Sequence, residues 1–287
     1  MDTYTIQQIL ERCLIEKYTE VKRQFEEMIP YTIRMKICER FGWGNYTCYH
    51  ASKHGHLECL RYAHENGCRW NERECPWDDG ACATASKNGY LECLKYAHEN
   101  GCSWDKYTCH YASKHGHLEC LKYAHENECP WNEETCFYAS YNGQLECLRY
   151  AHENGCLWDS LACSYASEYG HLECLRYAHE NGCPWNEITC HLAAGNGQLE
   201  CLKYAHENGC PWDKSTCSRA SLNGHLECLK YAHENECQWD EETCNRASRW
   251  GHLECLKYVY ENGCPIDIGY CLKDAKGECK EYLESSH

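Results

Sequence analysis

Apolar positions in this chain fall into short strips that keep returning. Between residues 56 and 66, Leu57, Leu60 and His64 stand at i, i+3 and i+7, which is one stripe of a helix. Cys59, Tyr62 and Ala63 form a second apolar strip beside it, while Glu58, Arg61 and Glu65 share the opposite, solvated side. A helix with two apolar strips touches a neighbour on each side, as a stack requires. The stretch before it, 46–54, predicts a shorter helix whose small residues Cys48, Ala51 and Ser52 face inward, with Gly55 as the turn between the two. That turn glycine returns at Gly89, Gly116, Gly143, Gly170, Gly197, Gly224 and Gly251, spaced by 34 once (89 − 55) and then by 27 (116 − 89 onward). A fixed period of this size denotes stacked supersecondary units. The expected fold class is therefore all-α, a helix-turn-helix solenoid of about eight short repeats with helical caps.

Punctuation between the strips fixes the unit boundaries. Trp followed by Asp or Asn recurs at Trp77-Asp78, Trp104-Asp105, Trp131-Asn132, Trp158-Asp159, Trp185-Asn186, Trp212-Asp213 and Trp239-Asp240. Asp and Asn accept hydrogen bonds from the free amides of a first helical turn, so this position predicts an N-cap, with the tryptophan stapling the incoming chain to the core. Asn-Gly after each second helix, as in Asn66-Gly67 and Asn100-Gly101, predicts a left-handed C-cap. Asn127-Glu128 and Asn235-Glu236 depart from that rule, and strain is expected there. The segment 68–74 reads as a duplicated connector of seven extra residues (34 − 27). Residues 1–42, with helical patterns over 5–27 and 32–41, are expected to cap the N-terminal end; 43–266 form the array. Residues 267–287, with Cys271 still in register, read as a degenerate C-terminal cap with a charged, fraying tail.

Composition then narrows the function. The net charge is −16, with 44 acidic against 28 basic residues, and no basic run is present. Nucleic-acid binding normally needs a basic face, so nucleic acid is not an expected partner. The acidity favours instead a protein with a basic surface. No stretch of 18 apolar residues offers a membrane span, and the first residues do not form a secretory signal, so a cytoplasmic location is expected.

The 29 cysteines are the next feature to place. Bridging equivalent cysteines of adjacent units is geometrically poor. Packed helices sit about 8–10 Å apart, and a disulfide wants Cα atoms within about 7 Å. Cysteine therefore reads as a small buried hydrophobe.

The histidines at 64, 98, 125, 152, 179, 206 and 233 lie on the leucine stripe. They are expected to be mostly buried, neutral and hydrogen-bonded to the backbone of the next connector. Cys59 and His64 are about 140° apart around their helix, and no Cys-x-x-Cys pair exists, so no metal or other cofactor is expected. Candidate Cys, His and Glu recur in every unit, whereas a catalytic site is a singular constellation, so the chain does not read as an enzyme with a small-molecule substrate.

The residues by now resemble a known family. The stretch Cys190-His191-Leu192-Ala193-Ala194-Gly195-Asn196-Gly197-Gln198-Leu199-Glu200 resembles the core of an ankyrin repeat, with cysteine in the place of a leucine. Asn208-Gly209-Cys210-Pro211-Trp212-Asp213 resembles that family's helix-ending segment. The units are shorter than the usual ankyrin repeat of about 33 residues, and the missing part belongs to the projecting hairpin. The Tyr-Ala-His-Glu-Asn-Gly-Cys style is similar to that of ankyrin proteins of giant DNA viruses and some protists, which would imply host cytoplasm. The resemblance implies a non-catalytic protein-interaction scaffold that binds on a concave face.

Recognition then has to sit where the copies differ. The two residues before each turn glycine vary most: Lys53-His54, Lys87-Asn88, Lys114-His115, Tyr141-Asn142, Glu168-Tyr169, Gly195-Asn196, Leu222-Asn223 and Arg249-Trp250. Tyr141, Tyr169 and Trp250 are the expected anchors, since exposed aromatics are typical of interfaces. The residue after each core cysteine also varies: Tyr49, Ala83, His110, Phe137, Ser164, His191, Ser218 and Asn245. Two alternatives stand beside this reading. One is a substrate adaptor for a ubiquitin ligase that recruits through the N-terminal helices. The other is a Cys/His metal-binding repeat protein.

Overall fold

The computed structural model describes residues 47–65 and 80–285. Its helices come in pairs: α1 (Thr47–His54) with α2 (Leu57–Glu65), α3 (Ala81–Lys87) with α4 (Leu91–Glu99), and α5 (Lys106–His115) with α6 (Leu118–Glu126). The pairs continue as α7 (Glu133–Tyr141) with α8 (Leu145–Glu153), α9 (Ser160–Glu168) with α10 (Leu172–Glu180), and α11 (Glu187–Gly195) with α12 (Leu199–Glu207). Then follow α13 (Lys214–Asn223) with α14 (Leu226–Glu234), and α15 (Glu241–Trp250) with α16 (Leu253–Glu261). Two shorter helices, α17 (Ile268–Asp274) and α18 (Glu278–Ser285), close the stack. Among the described residues there is no strand, so the short connectors build no projecting hairpin. The all-α repeat solenoid expected from the period is the observed fold. Residues 1–42, the insert at 68–74, Asn66-Gly67 and Trp77-Asp78 lie outside the described residues.

Each pair stacks on the next through two different seams. The first helices meet through small side chains. Cys109, Ala112 and Ser113 of α5 are buried, as are their counterparts Cys136, Ala139 and Ser140 of α7. Ser113 Oγ donates to the Thr135 carbonyl of the next unit at 2.7 Å, and Ser86 does the same to Thr108. The second helices contribute one fully buried leucine each, from Leu60 and Leu94 through Leu256, and those leucines form the continuous core. Burying each is worth about 1.5–3 kcal/mol. Exposed pairs such as Lys122–Glu119, 3.0 Å apart on α6, contribute far less, about 0.2–0.5 kcal/mol. First helices pack on one another much more closely than second helices do. The closely packed first helices form an inner row and the second helices an outer one.

The turns carry the predicted chemistry. Asp105, Asp159, Asn186, Asp213 and Asp240 each accept from the backbone amide two residues on, at 2.7–3.1 Å. Asn132 is the exception. It makes no capping bond and faces His110 of the preceding unit instead. The turn glycines have positive φ, and a Cβ on Gly224 would collide with the His252 ring of the next unit. Both reasons require glycine at that step. At the ends of α6 and α14, Glu128 (φ 65°) and Glu236 (φ 67°) hold the left-handed conformation that glycine holds elsewhere. The strain expected at those two caps is present in the backbone.

The C-terminal end corrects one expectation. The tail is not frayed through the described residues but helical to Ser285, with Cys271, Cys279 and Leu283 buried. Leu283 stands 27 residues after Leu256 (283 − 256) and fills the next slot of the leucine column.

Candidate interaction face

The outer seam accounts for the histidines first. His98 stacks on Trp104 of its connector, with ring centroids 3.6 Å apart, and its Nδ1 lies 3.2 Å from the Tyr123 hydroxyl of the next unit. Trp104 meets the same tyrosine edge-on at 6.1 Å. His125, His152, His179, His206 and His233 repeat the arrangement with Trp131, Trp158, Trp185, Trp212 and Trp239. Their tyrosine partners are Tyr150, Tyr177, Tyr204, Tyr231 and Tyr258. This corrects the expectation of mostly buried histidines bonded to connector backbone. They are half-buried, and their partners are a ring face and a hydroxyl. Burial against the rings lowers the proton affinity of His152 and His233. The tryptophans are thus packing residues.

The cysteines are likewise occupied. All 25 in the described residues are buried. From Cys129 to Cys264 each connector thiol donates to the carbonyl of the N-cap residue in its own unit, as Cys129 does to Asp105 at 3.2 Å and Cys156 to Asn132 at 3.1 Å. Cysteine is there both a small hydrophobe and a donor. Burial pushes the second-helix thiols Cys120, Cys147 and Cys174 up to about 12, so they stay protonated and inert at neutral pH. Among the described residues no group of three or more His, Cys, Asp or Glu converges on one point. No helix there is long and apolar enough to cross a membrane.

The variable positions remain. The structure separates the two sets picked out by variation. Of the residues after the core cysteines, Ala83, His110, Ser164, His191 and Ser218 are buried, and Tyr49, Phe137 and Asn245 are half-buried. His110 Nε2 lies 3.1 Å from Asn132, and His191 Nε2 lies 2.8 Å from Asp213, so both tie one unit to the cap of the next. Burial depresses the proton affinity of His110. That set is therefore mostly interior.

The pairs before the turn glycine do reach solvent. Lys53, His115, Tyr169, Arg249 and Trp250 are exposed, and His54, Lys114, Tyr141 and Glu168 half-buried. Gly195 is the exception, buried against Arg219. The structure adds a third position on this face that variation had not marked, five residues before the turn glycine. It holds the half-buried Tyr111, Tyr138, Tyr165, Leu192 and Arg246, and the exposed Arg219. The signal was available in helix geometry, because i and i+3 or i+4 share a face. The residue two before the glycine stands three after this one.

These side chains form a graded surface. Lys53 sits over the Tyr49 ring at 5.7 Å, Lys87 over Tyr111 at 4.9 Å, and Lys114 over Tyr138 at 5.5 Å. Next comes an aromatic cluster. Tyr141 and Tyr169 touch, with centroids 4.4 Å and hydroxyls 2.9 Å apart. Tyr165 bridges Tyr141 at 5.5 Å and Phe137 at 5.2 Å. Two of the three expected anchors are therefore one contiguous platform. Trp250 is not part of it. It lies three units on, 54% exposed, at the rim of a cleft of about 240 Å³ shared with Arg246, Arg249, Tyr270 and Asp274.

Models of ankyrin repeats match the chain over residues 48–133, 82–159 and 190–269 in one form and over 163–206 in another, together covering most of its length. The chain belongs to the ankyrin repeat family. Ankyrin repeats serve generally as protein–protein interaction scaffolds, and the family is generally non-enzymatic. No individual curated protein matches the sequence.

Proposed function

We propose that this ankyrin-repeat chain is a non-catalytic scaffold that holds a protein partner against the inner row of first helices. Tyr141, Tyr169 and Trp250 are the anchors, and Lys53, His54, Lys114, His115, Glu168 and Arg249 surround them. The observation that carries this reading is where the copies differ. The outer seam repeats one histidine, tryptophan and tyrosine set whose groups are used by neighbouring copies, while the residues before the turn glycine vary and mostly reach solvent. Large aromatic rings left at solvent on that row, Tyr169 at 42% and Trp250 at 54% exposure, are the residue types that carry binding energy at interfaces. A partner with a basic surface, expected from the chain-wide charge, is better suited to the outer row, where each second helix carries two glutamates and one lysine or arginine.

Affinity capture from cell lysate tests the reading, comparing the wild-type chain with a Tyr141→Ala, Tyr169→Ala, Trp250→Ala variant. Circular dichroism confirms that both are folded. Proteins retained by the wild type are expected to be lost with the variant. Retention of the same set by both would remove this face as the binding surface.

A further inference from the structure

The charge of this chain is not spread evenly over its two rows. At the three inner-face positions of the eight units stand six cations, Lys53, Lys87, Lys114, Arg219, Arg246 and Arg249, against the single carboxylate Glu168, a net of +5 within a chain of −16. The outer row has the opposite sign, with two carboxylates per cation in every second helix. The inner face is therefore a positive strip on a strongly negative body, and such a strip steers ligands of negative charge onto itself. On one side of the tyrosine platform Arg246 pairs with Glu242 at 2.8 Å and Arg249 with Asp274 at 3.8 Å. On its other side stand three lysines. Lys53, Lys87 and Lys114 lie over tyrosine rings in three consecutive units. A lysine held over a ring has less side-chain freedom to lose when it meets a carboxylate.

We infer that the inner face binds an extended acidic segment of a partner protein, its carboxylates on Lys53, Lys87 and Lys114 and an adjoining apolar stretch on Tyr141 and Tyr169. This rests on the scaffold reading above and assigns the chemistry of the partner. Spacing makes it specific. Stacked helices repeat every 8–10 Å or so, and an extended chain advances about 3.3 Å per residue. One unit is thus spanned by about three residues, and the segment needs an Asp or Glu at every third position over roughly seven residues. Glu168, one unit past Tyr141, marks where the acidic part must end. A single-stranded nucleic acid also combines negative charge with stackable rings. It is disfavoured because the large net negative charge of the body repels a long polyanion.

A randomised library of displayed 16-residue peptides, selected on the immobilised full chain, tests this. Enriched sequences are expected to be acidic, with carboxylates three residues apart beside an apolar stretch. Affinity of the best peptide, read by fluorescence anisotropy, should fall at least tenfold in a Lys53→Glu, Lys87→Glu, Lys114→Glu variant. It should fall at least fivefold in the wild type between 50 and 300 mM salt, which serves as the test should the variant not fold. Enrichment of neutral or basic peptides that still require Tyr141 and Tyr169 would overturn the acidic assignment and leave the scaffold reading standing. No enrichment at all would overturn both. Tighter binding of a 20-nucleotide oligothymidylate than of the best peptide would replace the acidic segment with nucleic acid.

Discussion

The two rows of this solenoid are made by the same helix pairs, yet they have opposite chemical characters. On the outer seam, His152 stacks on Trp158 and reaches Tyr177, and the set recurs without change from His98 to Tyr258. On the inner face, the residue two before the turn glycine runs through lysine, tyrosine, glutamate, glycine, leucine and arginine. The difference follows from what each side chain touches. A seam residue contacts the neighbouring copy of its own unit, so one change disturbs an interface shared by two repeats. A face residue contacts the strip beside it and water. On the outer seam uniformity thus marks the contacts that hold the array together, and before the turn glycines variety falls on side chains that reach solvent.

Removing a leucine from the core column breaks this contrast most severely. Leu175→Ala is expected to cost about 2–5 kcal/mol, read as a lowered denaturation midpoint, because the side chain is fully buried between units. A cost under about 1 kcal/mol would mean that the column is not the common core. The seam comes next. Trp185→Ala should cost about 2 kcal/mol, since the ring is half-buried and loses a stack on His179 and an edge contact with Tyr204. If it cost no more than alanine at the exposed Tyr169, the division between seam and face would fail. The smallest expected effect has the other sign. Glu128→Gly and Glu236→Gly should each stabilise the array by roughly 0.5–1 kcal/mol, because both glutamates occupy the left-handed region. A loss of stability in either variant would show that its side chain contributes more than the strain it causes.

Much of this was legible before any coordinates. The 27-residue period, the Asp and Asn caps, the small residues of the first helices and the Glu128 and Glu236 departures are all local or periodic signals, and the backbone obeys them. The face was legible in part. Variation picked out Tyr141, Tyr169 and Trp250, which do reach solvent. It also picked out the line from Tyr49 to Asn245, which is mostly buried, because variation alone does not say which way a side chain points. His110 and His191 vary from their counterparts for an internal reason, each meeting the cap of the next unit.

The sequence by itself determined that this chain is a stack of helix pairs, where each pair begins and ends, and that a leucine stripe runs along each second helix. Those properties follow from the spacing of residues along one helix and from the chemistry of its ends, which no distant contact has to supply. Tertiary structure alone decided the rest. It brought each outer histidine to the tyrosine of the next unit, joined Tyr141 to Tyr169, and gathered Lys53, Lys87 and Lys114 into one positive row. These are relations between side chains some 25 to 35 residues apart, fixed by the close packing of neighbouring units and invisible to any pattern within a single unit.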